Sequence, residues 1–204
     1  MPLEILYDEG GWLVVNKPAG LASTGRDLED PNCVQFQLQA QLGRRVWAVH
    51  QLDRGTTGAL LFARKRSLVA EGQKALKGGR KAYLALVHGV PDADRFVIDA
   101  PLRYVKRKGR PAVAEDGLAA RTDVRVRERT SAHAWIEATL RSGRTHQIRV
   151  HLAHVGHPLV GDGLHGECTL LPFPALHAFQ LRFLGVVVEA AVPEALARFR
   201  QQLA

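Results

Sequence analysis

The chain has 204 residues, of which 46% are hydrophobic, and this is enough to bury one substantial core. We therefore predict a single catalytic domain over residues 1–204. Lys and Arg number 28 against 20 Asp and Glu, so the formal net charge of +8 favours a polyanionic partner such as nucleic acid. An anionic membrane surface is the rival partner, but the sequence has neither a run of about 18 apolar residues nor a strongly basic amphipathic helix to support it.

The first half of the chain predicts short strands with few helices between them. Apolar and β-branched residues flank a glycine pair in LEILYDEGGWLVVNKP, which predicts two strands joined by a turn at Asp8–Gly11. The apolar spacing of VQFQLQAQL predicts a helix capped by Asn32. A strand over Val46–Val49, a buried strand over GALLFAR and a helix over SLVAEGQKAL capped by Ser67 are expected next.

The second half continues the mixed α+β pattern. KAYLALVHG predicts a core strand, whereas PLRYVKRKGRPAVAEDG is too charged for a core and predicts a basic surface loop. Alternation on both sides of Arg129–Ala132 predicts an antiparallel hairpin. QIRVHLAHVG is expected to form a helix, LHAFQLRFLGVVVEA a closing hairpin, and PEALARFRQQ a final helix that Pro193 opens.

The motif HQLDRGTTG, from His50 to Gly58, places one carboxylate among hydroxyls, glycines and a basic neighbour. Asp53 lies between Leu52 and Arg54, directly ahead of an apolar run. A buried or half-buried Asp is costly unless it is paired or hydrogen-bonded. The motif therefore predicts a functional carboxylate that has a partner elsewhere in the chain.

A second segment, SGRTHQIRVHLAHVGHPLVGD, combines arginines with four histidines, and two interpretations compete for it. In the first, histidines about one helical turn apart converge on a metal ion. The segment lacks HExxH, and Gly156 and Pro158 would end the helix before the last histidine joins the others. In the second, Arg149 forms an ion pair and Arg144 contacts phosphate, because a guanidinium binds carboxylate or phosphate bidentately. A surface helix with solvated arginines explains the pattern equally well.

These segments resemble the RluA-type RNA pseudouridine synthases from about Ile5 to Phe183. The family motif HRLDxxTSG is present as HQLDRGTTG. Four further similar segments follow the family's order, and they are ILYDEGGWLVVNKPAG, KAYLALVHG, GRTHQIRVHLAHVGHPLVGD and ALHAFQLRF. Five separate matches in one order make chance agreement very improbable.

The resemblance implies a pseudouridine synthase catalytic fold of α+β class. In that fold a central, mostly antiparallel mixed sheet with flanking helices forms a basic RNA-binding cleft. Asp53 matches the family's catalytic Asp. By the same match, Tyr83 would stack against the target base, Arg149 would pair with Asp53, and Arg144 would lie nearby. The family uses no metal or organic cofactor, so none is expected here.

The resemblance and the charge pattern together predict residues that contact RNA. Gln51 stands where the family has an arginine that fills the space left by the flipped base, and glutamine keeps the hydrogen bonding but not the charge. Arg54 compensates in part. The predicted RNA-binding residues are His50, Gln51, Arg54, Lys106, Arg107, Lys108, Arg110 and His146. The alternative for the basic run is a solvated loop without a ligand.

The implied reaction converts specific uridines to pseudouridine in structured ribosomal or transfer RNA. Asp53 would act either as a nucleophile at the sugar or as a base that removes a ribose proton. Two other functions stay open. One is a non-catalytic RNA-binding relative, for which Gln51 is the motive, and the other is a metal-dependent hydrolase built on the histidines.

The remaining expectations concern context. No appended N-terminal RNA-binding domain is expected, because the match begins within the first few residues. Cys33 and Cys168 lack CxxC spacing and the N-terminus lacks a secretion signal, which together predict a cytoplasmic protein. We expect a monomer with RNA as its partner, no membrane association and no obligate protein partner.

Overall fold

The computed structural model describes residues 2–25, 30–106, 109–166 and 171–202. Within these ranges the strands are β1 (Ile5–Glu9), β2 (Trp12–Lys17), β3 (Trp47–Ala48), β4 (Thr57–Ala63), β5 (Arg80–His88), β6 (Arg95–Asp99), β7 (Leu102–Val105), β8 (Arg110–Val113), β9 (Arg121–Arg129), β10 (His133–Leu140), β11 (Leu176–Phe183) and β12 (Val186–Glu189). The helices are α1 (Val34–Leu42), α2 (Val69–Gly78), α3 (Gln147–His154) and α4 (Glu194–Gln202).

The described residues fall into two compact units. The first comprises Met1–Lys81 with Ala178–Val192, and the second comprises Ala82–His177 with Pro193–Ala204. In the first unit β1 pairs with β2, β2 and β3 pair with β4, and β11 pairs with β12, all antiparallel. In the second unit β9 pairs with β6 and β10, and β7 pairs with β8, again antiparallel. The single catalytic domain expected over residues 1–204 stays a prediction.

The core of the first unit forms where two apolar strands lie side by side. Strands β2 and β4 are buried along nearly their whole length, as the runs WLVV and GALLFA predict. Trp12 and Tyr7 each pack edge-on against Phe183, with ring centroids 6.0 and 6.1 Å apart. The register places Lys17, the last residue of β2, opposite Gly58 at the start of β4. The first unit therefore brings the end of β2 to the end of the HQLDRGTTG motif.

Both predicted helix caps are wrong. Cys33, not Asn32, caps α1, because Cys33 is the last extended residue (φ −131°, ψ 152°) and its Sγ accepts a hydrogen bond from Phe36 N at 3.4 Å. Ser67 does not cap α2, because it lies inside a 3₁₀ turn, Arg66–Leu68, that leads directly into the helix. The backbone is already helical at Leu68, so no extended residue precedes α2 to fold a side chain back onto it.

Most predicted strands of the second unit are confirmed. The alternating segment forms the hairpin β9–β10, with its turn after Arg129, and KAYLALVHG lies in β5. QIRVHLAHVG forms α3, and Leu196 N donates to Pro193 O at the start of the final helix. Largely antiparallel strands with few helices confirm the predicted α+β class.

The basic middle segment is a hairpin rather than the loop that its charge predicts. Strands β7 and β8 pair Leu102 with Val113 and Tyr104 with Pro111. Leu102 and Val113 belong to a small apolar cluster with Ala120 and Val150 of α3. The charged side chains lie at the turn and on the other face. The buried residues of these two strands are Leu102 and Pro111, one on each, which is too little to give an alternating pattern in the sequence.

Candidate active site

The HQLDRGTTG motif lies in the connection that enters β4. Asp53 is half-buried there, and its carbonyl accepts a hydrogen bond from Thr56 N at 3.0 Å, which closes a tight turn. Gly58 ends the motif at φ +108°, and a Cβ on it would lie 2.3 Å from Ala178 O. Glycine is required at this position by both its conformation and its contact. The carboxylate of Asp53 is thus carried by a tightly constrained turn.

Lys17 fixes that turn from beneath. Its side chain is 0% exposed, and Nζ donates to three backbone oxygens: Thr56 O at 2.7 Å, Arg54 O at 3.0 Å and Pro18 O at 3.0 Å. Burial lowers the pKa of Lys17 to about 8, with Arg54 also lowering it, while the carboxylate of Asp53 opposes that change. All three ammonium protons are therefore used, and a positive charge lies beneath Asp53.

Side-chain hydrogen bonds clamp the same turn to the segment Gly20–Thr24. Ser23 Oγ donates to Leu52 O and accepts from Leu52 N, both at 2.8 Å. Arg54 Nε donates to Gly20 O at 2.7 Å, and Gly20 N donates to Arg54 O at 2.9 Å. Residues on both sides of Asp53 are thereby held, so the position of the carboxylate does not depend on a flexible loop.

Two residues predicted to bind RNA take part in this framework. Gln51 is exposed, and its Nε2 donates to Thr24 Oγ1 at 3.2 Å. His50 accepts a hydrogen bond from Leu61 N through Nε2 at 3.1 Å. Burial, together with the charge of Lys81, lowers the pKa of His50 to about 3. His50 is therefore a neutral acceptor that ties the start of the motif to β4.

Thr56 is the one unsatisfied side chain in this framework. Its Oγ1 is buried and has no hydrogen-bond partner in the described part of the chain. A buried hydroxyl without a partner costs about 1–3 kcal/mol, so this side chain works against the stability that its neighbours supply.

In the second unit, Arg149 is fixed by a carboxylate that the sequence analysis did not identify. Arg149 Nε donates to Asp162 Oδ2 at 2.8 Å, and Nη2 donates to Oδ1 at 2.7 Å. The side chains are 10% and 1% exposed. Burial raises the pKa of Asp162, but hydrogen bonds and charge from Arg149 outweigh it and hold the pKa below its usual value. The bidentate pair sets the orientation of the guanidinium on α3.

His146 and His165 meet beside this pair. His146 Nδ1 and His165 Nε2 are 3.0 Å apart, and the rings are nearly perpendicular. His165 N and Leu164 N donate to Asp162 Oδ1, so one carboxylate orients both Arg149 and the segment that carries His165. Burial lowers the pKa of His165 to about 4, against the charge of Asp162 and with that of Arg149. His165 is therefore neutral at neutral pH, and a hydrogen bond joins its ring to that of His146.

The other predicted site residues of the second unit lie at different depths. Tyr83 is buried in β5, whereas Arg144 is exposed and its Nε donates to Ala119 O at 3.2 Å. Lys106 lies at the turn of the β7–β8 hairpin, and Arg110 begins β8. Arg107 and Lys108 lie outside the described residues. The predicted pair of Asp53 with Arg149 joins residues of different units and stays a prediction.

The other histidines of the predicted metal site have structural partners. His151 lies between Thr122 Oγ1 and Ala100 O, each at 2.9 Å, and His157 Nδ1 donates to His88 O at 3.2 Å. Within residues 2–25, 30–106, 109–166 and 171–202, no group of three or more His, Cys, Asp or Glu is arranged to hold a metal ion. The hydrogen bonds to Thr122 and Ala100 account for both ring nitrogens of His151.

Comparison with known proteins places this geometry in a family. Residues 11–154 match the family described as RNA pseudouridylate synthase, and they include Lys17, the whole motif around Asp53, and Arg149. The chain belongs to the RNA pseudouridylate synthase family. This confirms the resemblance drawn from the five sequence segments.

Relatives of the RNA pseudouridylate synthase family cover almost the whole chain. An uncharacterized RNA pseudouridine synthase of Synechocystis is 36% identical over 95% of this chain and 66% of its own length. The ribosomal large subunit pseudouridine synthase D of Xanthomonas campestris is 35% identical over 100% of this chain and 70% of its own length. The chain thus spans about two thirds of the length of these relatives.

A solved structure supports the fold. The human RNA pseudouridylate synthase domain containing 1 superposes with a TM-score of 0.77 at 29% identity, covering 94% of this chain and 83% of the other. The predicted pseudouridine synthase fold is therefore confirmed. In the described part of the chain, no helix is long and apolar enough to cross a membrane.

Sequence reasoning missed one supporting residue in each unit, Lys17 in the first and Asp162 in the second. Lys17 follows the apolar run WLVVN, and a lysine at the end of a buried strand was a usable signal, because such an ammonium must find oxygen partners. Asp162 had no comparable signal, since an irregular segment separates it from Arg149. Its role becomes visible only once α3 and that segment are folded together.

Proposed function

We propose that this chain isomerises uridine in RNA to pseudouridine, with Asp53 as its catalytic carboxylate. The carrying observation is the way Asp53 is held: a half-buried acid on a turn that Lys17, Ser23 and Arg54 fix at its backbone. Reactions at a sugar carbon need a carboxylate at a defined position, because misplacement by about 1 Å costs on the order of 100-fold in rate. Such a framework supports a reacting group more than a surface acid.

The reaction breaks the bond between ribose C1′ and uracil N1, turns the freed base, and joins C1′ to C5. The C5 hydrogen is then released as a proton and N1 gains one, so the product is an isomer of the substrate. Asp53 acts either by attacking C1′ or by removing a ribose proton, and both routes need the ionised form. The carboxylate of Asp53 raises the pKa of Lys17, so the two opposite charges attract each other.

Two further residues complete the proposal. Tyr83 is the flat wall against which the target base rests, and Arg149 pairs with Asp53. The support for Arg149 is its orientation by Asp162, which fixes the guanidinium on α3 through two of its nitrogens. The target nucleotide must leave its stack to reach these groups, which favours an unpaired or weakly paired uridine.

Ribosomal RNA is the substrate that we propose, because the Xanthomonas relative is named for the large ribosomal subunit. Mapping pseudouridines in ribosomal and transfer RNA from cells with and without the gene tests this choice. Loss of a ribosomal site is the expected result. An unchanged map of both RNAs would instead favour the non-catalytic RNA-binding alternative.

The catalytic role is tested by Asp53→Asn. Release of tritium from RNA that contains uridine labelled at C5 should fall by about 10³-fold or more, because the reacting group is lost. The matched control is Asp92→Asn, which makes the same chemical change at an exposed position. Both variants should unfold at nearly the wild-type temperature. Wild-type tritium release by Asp53→Asn would refute the proposal.

A further inference from the structure

The β7–β8 hairpin exposes an aromatic side chain on a basic element. Tyr104 is 60% exposed near the end of β7 and lies opposite Pro111 of β8. Residues opposite each other in an antiparallel pair share a face, so the phenol ring stands beside a proline ring. A single exposed aromatic has no meaning by itself. Its surroundings decide what it does.

The base of the hairpin is anchored. On the face that carries Tyr104, Leu102 and Val113 pack with Ala120 and with Val150 of α3. Val150 follows Arg149 in the same helix. Leu102 is also bonded at both its N and its O to Leu118. The hairpin is therefore packed against α3, the helix that carries Arg149, and Tyr104 lies beyond the buried Leu102.

The tip of the hairpin, beyond Tyr104, is positively charged. Lys106 follows two residues after it, and Arg110 begins the returning strand opposite Val105. Arg103 is tied to Asp116 at 2.6 Å, whereas neither Lys106 nor Arg110 forms an ion pair with a carboxylate among the described residues. Arg110 also contributes to the lowered pKa of His165, so its field reaches the start of α3. Arg110 lies on the face of Arg103, opposite to that of Tyr104, and Lys106 lies at the turn between the two strands. A hairpin tip with two such cations and an exposed aromatic ring suits a polyanion that carries flat bases.

We propose that Tyr104 is a stacking platform for an unpaired RNA base that flanks the target nucleotide, while Lys106 and Arg110 bind the adjoining phosphates. This rests on the proposed function, because it assigns the RNA a second contact besides the target base. Tyr83 is assigned to the target base, whereas Tyr104 presents its ring to solvent on the hairpin. Single-stranded RNA is bound in this way by aromatic stacking combined with phosphate contacts.

The test is direct binding by the full chain. The probe is a fluorescein-labelled oligouridine of about 12 nucleotides, within the usual site sizes, and fluorescence anisotropy is measured over a salt series. Tyr104→Ala should weaken binding about fivefold to a hundredfold at every salt concentration, and Tyr104→Phe should bind like the wild type. Lys106→Ala should instead reduce the slope of log K against log salt by about 0.7.

Leu118→Ala is the matched control, because Leu118 is 63% exposed at the base of the same hairpin but has no π-face. It should bind the oligouridine normally, and a blunt RNA duplex should bind equally well to wild type and Tyr104→Ala. Three results would overturn the stacking site: unchanged binding by Tyr104→Ala, an equal loss in Leu118→Ala, or an equal loss on the duplex. A change in sedimentation without a change in RNA binding would assign Tyr104 to a protein contact and also overturn it.

The same experiment separates this inference from the proposed function. Asp53→Asn should bind the oligouridine with wild-type affinity and with the same dependence on Tyr104. If Tyr104→Ala binds the oligouridine as tightly as the wild type does, and the wild type releases tritium, only the stacking site is refuted. If the wild type releases no tritium from cellular RNA but Tyr104→Ala still binds the oligouridine more weakly than the wild type, only the isomerase function is refuted.

Discussion

Among the described residues, each unit has one Lys or Arg with a buried side chain, and the two charges are stabilised in different ways. Lys17 in the first unit has three backbone carbonyls around its ammonium. Arg149 in the second unit has a bidentate carboxylate, Asp162. The first arrangement fixes a stretch of backbone, whereas the second fixes one side chain.

The difference also determines what pH can change. An ammonium surrounded by dipoles has no counter-charge in direct contact, so burial lowers the pKa of Lys17 to about 8. A guanidinium stays charged at any ordinary pH, and its partner Asp162 has a pKa below its usual value. The ammonium beneath the turn of Asp53 therefore loses its proton above about pH 8, whereas the Arg149–Asp162 pair changes its charge only in acid.

The largest expected effect on stability is that of Asp162→Asn. The substitution leaves Arg149 buried without a counter-charge, which should lower the free energy of unfolding by about 3–5 kcal/mol. Asp116→Asn is the control, because it removes the acid of the exposed Arg103 pair and should cost less than about 1 kcal/mol. Urea unfolding measures both. Equal losses would mean that burial does not distinguish the two pairs.

Lys17→Met should lower stability less than Asp162→Asn does, but it should lower the rate of tritium release. The variant leaves three carbonyls short of a donor and also removes a desolvated charge, so we expect a loss of about 1–3 kcal/mol. Movement of the turn should lower the rate of tritium release about 10-fold to 100-fold. The exposed Lys74→Met should change neither measurement.

Lys17 should also change how the stability of the protein depends on pH above about 8. Its folded pKa of about 8 lies below the ordinary 10.5, so between these values the unfolded chain binds the additional proton. The stability of the wild type relative to Lys17→Met should therefore rise with pH across this window. A constant difference from pH 8 to 10.5 would mean that Lys17 is not a buried ammonium.

His50→Gln tests the other titratable support of the turn. The folded pKa of His50, about 3, lies below the ordinary 6.5, so acid protonates the unfolded chain first and stability falls as pH drops below 6.5. Glutamine keeps an acceptor for Leu61 N but does not titrate. From pH 7 to 5 the wild type should lose about 1 kcal/mol more than His50→Gln, less than full linkage because His50 is only half-buried. His154→Gln, at an exposed position, should behave like the wild type.

The smallest effect is expected at Thr56. Its buried hydroxyl has no partner, so Thr56→Val should be neutral or should raise the free energy of unfolding by up to about 1 kcal/mol. Ser23→Ala is the contrast, because its buried hydroxyl donates and accepts, and its loss should cost about 1–3 kcal/mol. Thermal unfolding compares the two. A loss in Thr56→Val as large as that in Ser23→Ala would reveal a partner for Thr56.

Most of the fold was predictable because alternation and apolar runs repeat over whole strands. β2, β4, β5 and the β9–β10 hairpin follow such patterns. The β7–β8 hairpin was not predictable, because each strand has one buried anchor among charges. The caps failed for local reasons: a thiol at Cys33 took the position expected for an amide, and a 3₁₀ turn replaced the cap at Ser67.

The candidate site divides in the same way. The acid in HQLDRGTTG could be identified because its neighbours in the chain are its neighbours in space. Lys17 and Asp162 contact residues 37 to 39 and 13 positions away, through packing that no local pattern encodes. The sequence does not distinguish a buried lysine or aspartate from a solvated one, because the difference lies in the partners that tertiary packing supplies.

The complete burial of Lys17 gives the protein a built-in reporter of local opening. With 0% of the side chain exposed, an acylating reagent reaches it only in molecules whose turn has opened. The rate at which Lys17 is acylated therefore reports how often the turn that carries Asp53 opens. A bound RNA that holds this turn closed lowers the acylation rate.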